Sequence, residues 1–162
     1  MTTTTSGKAT TTGIAVRVLN EGYGPGAWHG ADLKAALADV TAAGAFWRPA
    51  QGRHNIAEIA LHHAYSAHSV RGRISGGAIE PFTLDGDDWF VLSDERVLAW
   101  AAIQEAVDAE QRDLATLVAD VEAGRLESPL PDAERFDLVL GITCHAVYHA
   151  GQVQLIKRLS TL

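Results

Sequence analysis

Two histidines, His145 and His149, stand four residues apart in Thr143-Cys144-His145-Ala146-Val147-Tyr148-His149-Ala150-Gly151-Gln152. Neutral imidazole is a common metal ligand, and an i, i+4 pair lets one helix offer two from the same face, one turn apart. Counted at 100° per residue, Leu138, Ile142, His149, Gln152, Ile156 and Leu159 fall within about 60° of His145. The resulting stripe is apolar at both ends and polar in the middle. Polar side chains left unpaired in a core each cost roughly a few kcal/mol, and one divalent cation would satisfy both imidazoles at once. The competing reading is coincidence: seven histidines in 162 residues produce such a pair in roughly one sequence in four.

Other residues offer chemistry with less support. Gln152, one turn beyond His149, is placed to orient a ligand from behind or to bond a metal-bound water; it could equally cap a buried carbonyl. Cys144 next to His145 could supply a thiolate, but it sits about 100° from the polar stripe, so a small buried hydrophobe is expected. Glu58 could act as a general base, although its spacing from Asn55 suits a helix cap better. Asp85, Asp87 and Asp88 lack the glycine and terminal glutamate of a calcium loop and are expected to be a solvated acidic loop. His29, His54 and His68 are expected at the surface or at helix ends. No glycine-rich phosphate loop and no G-x-S-x-G elbow is present.

The elements that must position these residues are helical. Apolar spacing predicts a first helix over 31–43, with Leu33, Ala36, Leu37 and Val40 inward, after a lead-in segment over 13–28 that could include a small strand. A second helix opens at Asn55, with Glu58 completing a capping-box pair, and stops at Ser75-Gly76-Gly77. It carries His62 and His63, which cannot share one direction. Hydrophobicity alone turns His63 inward, whereas a site with room for substrate favours the more polar arc of His62. A connection over 75–92, rich in Gly and Asp and anchored by Trp89-Phe90-Val91-Leu92, leads to a third helix over 94–123. Val97, Leu98, Ala101, Val107, Leu114, Leu117, Val118 and Val121 are expected on its inner side. A fourth helix over 134–159 carries the histidine pair. The expected fold is all-α: a four-helix bundle with a long crossover between helices two and three, a topology whose cores host metal sites.

Composition narrows the function. The length suits a single domain over 13–162, behind a threonine-rich tail over 1–12 that is expected to be disordered. A net charge of −7 and the absence of a dense basic run argue against nucleic acid. The tail lacks the pattern of a signal peptide, no run is long enough to span a membrane, and one cysteine fits a reducing compartment; a cytoplasmic location is expected.

At this point the residues resemble a known family. His62-His63-Ala64-Tyr65 leading to Val70-Arg71-Gly72-Arg73, the segment Gly141 to Leu155 containing the histidine pair, and Ala27-Trp28-His29-Gly30 with Arg48-Pro49 are similar to the DinB/YfiT-like superfamily. The resemblance implies a homodimeric bundle with a divalent metal held by three histidines. By position these are His62, with His63 as the alternative, and the pair His145 and His149. It also implies two chemistries: transfer of a low-molecular-weight thiol such as bacillithiol or mycothiol, or a thiol-dependent isomerisation, and hydrolysis. Open positions on a three-imidazole metal fit catalysis. Zinc or nickel is expected first, then iron or manganese, since imidazole suits several of these ions. The expected partner is a small-molecule substrate; a non-catalytic metal-binding stress-response protein is the alternative.

Overall fold

The computed structural model describes residues 13–160, so the expected tail over 1–12 lies outside the described residues. These residues form six helices and no strand: α1 (Ile14–Tyr23), α2 (Leu33–Leu37), α3 (Ala42–Phe46), α4 (Ile56–Ser75), α5 (Trp100–Glu122) and α6 (Asp132–Ser160). α4 packs against α5 and α6, and α1 against α6 and α5. None of the helices is long and apolar enough to cross a membrane.

α4 begins where its caps dictate. The Asn55 side chain accepts from the Glu58 amide at 2.8 Å and Glu58 reaches back to the Asn55 amide, a reciprocal capping box. At the other end Gly76 takes a left-handed conformation that halts the helix. From Ile56 to Ala64 every residue of α4 is buried, because α5 and α6 lie on its sides and the returning connection covers the rest. His62 and His63 can therefore both be inside, which is why a two-sided helical wheel could not choose between them.

The beginning of the chain departs from the sequence expectation. The lead-in is helix α1, whose Leu19, Gly22 and Tyr23 are buried. It closes on α6 so tightly that a Cβ on Gly22 would stand 2.8 Å from the Thr143 carbonyl oxygen and 3.0 Å from the Ala146 Cβ. The helix expected over 31–43 is instead two short helices. Asp32 caps α2 through the Ala35 amide and Thr41 caps α3 through the Gly44 amide, so the chain restarts where one continuous turn was expected. Leu33, Ala36 and Leu37 nevertheless point into the core.

α5 begins at Trp100 rather than near Asp94. Asp94 folds back on Arg96, Glu95 accepts from the Trp100 amide, and Trp100 Nε1 donates to the Val40 carbonyl at 2.8 Å. That start turns Val97 and Ala101, expected inside, out to solvent, while Trp100, Ile103, Ala106, Val107, Leu114 and Val118 face the core. The connection over 76–99 is pinned to α4 at alternate residues. Phe90 and Leu92 are buried while Val91 is exposed, as an extended chain with two-residue side-chain alternation requires. Leu92 is held at both backbone groups, its amide donating to Glu58 and its carbonyl accepting from Asn55.

Candidate metal centre

The side chains that meet where α4 faces α6 are His62, His145 and His149, with one nitrogen from each lying within 4.8 Å of the others. The contacts run through Nε2: His145 Nε2 is 3.0 Å from His62 Nε2 and 3.1 Å from His149 Nε2. The buried line of α6 runs through Val139, Ile142, Ala146, His149, Val153 and Ile156. His145 therefore lies at the edge of that line, and Leu159, expected inside, is exposed.

Ring hydrogens can be assigned from the outer nitrogens. His62 Nδ1 faces only oxygens, the Asp88 carbonyl at 2.8 Å and the Asp88 carboxylate at 3.1 Å, so it carries the hydrogen and donates it. His149 Nδ1 likewise faces Gln152 Oε1 at 2.7 Å, whose amide nitrogen donates on to the Tyr148 hydroxyl. Both rings thus present an Nε2 lone pair to the centre. His145 Nε2 stands between them, and one ring hydrogen there could serve one of its two short contacts but never both.

A cation satisfies all three nitrogens together. Imidazole nitrogens bound to one first-row ion at about 2.0–2.1 Å stand about 2.9–3.4 Å apart, depending on whether the angle is octahedral or tetrahedral. The two contacts fall in that interval. The donor set and its spacing fit a divalent metal, and three protein ligands leave positions open.

The His145 and His149 rings are also held toward the neutral form. Burial pushes the His145 imidazole down to about 4, helped by its neighbours His149 and His62. Burial lowers His149 as well, opposed by the Gln152 hydrogen bond and assisted by His62 and His54. On these two rings a metal therefore meets lone pairs rather than protons at neutral pH.

His63, the other α4 histidine, does not reach the centre. It lies behind His145 with the two Nδ1 atoms 3.1 Å apart and its ring stacked toward Tyr23. It is buried, and its Nε2 has no hydrogen-bonding partner among the described residues. Burial lowers its pKa far below the ordinary value, with the other three imidazoles adding to the effect.

The remaining candidates find other places. Glu58 does not face the centre; it receives both Arg48 guanidinium nitrogens, His54 and the Leu92 amide. Cys144 is exposed rather than buried, because it lies on the face of α6 turned away from the core. His29 is exposed, but His68 is largely buried and paired with Glu110, contrary to the surface position expected. His54 forms the outer layer of a stack in which Trp89 lies between it and His62, with ring centroids 3.7 and 3.9 Å away. The loop aspartate Asp88 is solvent-exposed, as expected, and in addition meets His62. Nothing in the sequence tied the connection to that histidine, since the pairing spans 26 residues and depends on how the loop returns.

A family model described as the DinB superfamily matches residues 27–153, and the chain belongs to that superfamily. No curated protein and no solved structure matches it.

Proposed function

We propose that this DinB-superfamily chain is a metal-dependent enzyme in which His62, His145 and His149 hold one divalent cation and leave its other positions to a small-molecule substrate. The reading rests above all on the convergence of three Nε2 atoms at 3.0 and 3.1 Å, a spacing that ring hydrogens alone cannot satisfy. Zinc or nickel suits the all-nitrogen set, with iron or manganese next. A cation there would supply the Lewis acidity that lowers the pKa of a bound thiol or water.

The favoured reaction is transfer of a low-molecular-weight thiol. The sulfur forms a bond to an electrophilic carbon, the leaving group departs with its electron pair, and the thiol proton passes to solvent. The chain contributes oriented imidazoles: Gln152 fixes the His149 ring, and the Trp89 face covers one side of His62. Hydrolysis at the same centre and non-catalytic metal binding are the competing outcomes.

α1, α4, α5 and α6 form a four-helix bundle within a single domain over 13–162, and the connection over 76–99 is its crossover. The exposed Leu140, Tyr148 and Leu155 along α6 support a homodimer, and the cytoplasm is its location.

The test is conjugation of a fluorogenic electrophile by a panel of small thiols, run on protein loaded in turn with zinc, nickel, iron and manganese, beside an ester panel. Metal-dependent turnover with a thiol supports the proposal. Turnover of esters alone selects hydrolysis, and loaded protein inert in every arm selects the non-catalytic role.

A further inference from the structure

The connection over 76–99 touches the histidine cluster through two consecutive residues, and the backbone there is unusual. Asp88 is the one residue other than glycine with a positive φ among the described residues, at 59°. The Trp89 amide donates to the Asp87 carbonyl at 2.7 Å, so Asp88 is the central residue of a three-residue turn. With positive φ at its centre, such a turn is the rare, strained form. Strain of this kind persists where surrounding contacts over-determine it, and it clusters at functional sites.

The turn aims both oxygens of Asp88 at one atom. Its carbonyl and its carboxylate stand 2.8 and 3.1 Å from His62 Nδ1, which can donate its single hydrogen to both. The next residue, Trp89, lies against the face of the same imidazole at 3.9 Å and 8° from parallel. One neighbour fixes the rotation of the ring and the other its tilt. His62 is the only member of the cluster contributed by α4, so its orientation decides whether the three nitrogens converge.

We infer that Asp88 is a positioning residue of the metal centre: its strained turn directs a carbonyl and a carboxylate onto His62 Nδ1, holding the Nε2 lone pair on the metal and making the ring a stronger donor. This rests on the reading of His62 as a metal ligand. Partners of this kind behind a ligating histidine are generally worth about 10–100-fold in metal affinity. The connection between α4 and α5 then belongs to the site as well as to the chain path, since displacing the turn would release the ligand.

Two substitutions separate the carboxylate from the turn. Asp88→Gly keeps the carbonyl and adopts a positive φ without strain, but removes the carboxylate. Asp88→Asn keeps a side-chain oxygen and removes only the charge. The measurements are zinc affinity by competition with a chromogenic chelator, the visible absorption of the cobalt-substituted protein, and the urea midpoint of the metal-free protein. The expected result for Asp88→Gly is zinc binding weakened about 10–100-fold and a shifted cobalt band, with the metal-free midpoint unchanged or raised. Asp88→Asn is expected to recover part of the affinity. Zinc binding within twofold of wild type and an unaltered cobalt band in Asp88→Gly would overturn the inference while leaving the metal centre standing. A fall in affinity matched by a fall in the metal-free midpoint would reduce Asp88 to a structural role and also overturn it. Wild-type protein that binds neither ion would remove the metal reading itself, and the inference with it.

Discussion

Replacing His63 by leucine should separate stability from metal affinity. His63 is buried with an unpartnered Nε2, a defect worth about 1–3 kcal/mol of lost stability. Leucine of similar volume removes it, at the cost of the His63–His145 hydrogen bond, about 1 kcal/mol. The metal-free variant should therefore be between unchanged and about 2 kcal/mol more stable by these figures. Metal affinity should move the other way. With a cation on His145 Nε2 the ring hydrogen must sit on Nδ1 and donate to His63, so leucine strands it and frees the ring to rotate. A loss of about 10–100-fold is expected, or about 1.4–2.7 kcal/mol of binding. Urea unfolding of the metal-free protein and zinc competition titration measure the two quantities separately. A destabilised metal-free variant, or a variant whose zinc affinity matches wild type, would refute the reasoning.

Three further outcomes follow from the packing and the titrating groups. Gly22→Ala should lower stability by about 1–3 kcal/mol despite the better helix propensity of alanine, because its Cβ meets the Thr143 carbonyl at 2.8 Å; thermal unfolding against wild type measures it. The metal-free protein should lose stability as pH falls from 6.5 toward 4, because the unfolded His145 protonates first while the folded ring holds out to about 4. Urea midpoints across that range should fall less steeply in His145→Gln. Burial raises the Glu58 pKa, but Arg48, the Leu92 amide and His54 together lower it further. Its stabilisation is thus complete above about 4.5 and is lost as pH drops through its depressed folded value, so Glu58→Gln should flatten the acid limb of the unfolding curve.

Much of the site was legible because local rules wrote it. Asn55 and Glu58 fixed the start of α4 and Gly76 its end; the four-residue spacing of His145 and His149 placed both rings on one side of α6. What was not legible depended on partners distant in sequence. His62 and His63 could not be ranked by a wheel, since the first half of α4 is buried on every side. Cys144 was expected inside from its type, yet no element covers that face of α6 among the described residues. One local signal was passed over as well: the Thr41 hydroxyl accepts from the Gly44 amide three residues on, and that cap divides the predicted first helix. Asp88 read only as a solvated loop carboxylate and Trp89 only as an apolar anchor, because their role beside His62 exists only once the connection has folded back over α4.

The central claim is that three imidazoles from two helices hold one cation. Elemental analysis of metal-reconstituted, desalted protein tests it most directly, comparing wild type with His62→Ala, His145→Ala and His149→Ala and with His54→Ala and His68→Ala as controls. About one equivalent of divalent metal is expected in wild type and both controls, with stoichiometric binding lost in each of the three cluster variants. Full metal content in both His145→Ala and His149→Ala would contradict the account.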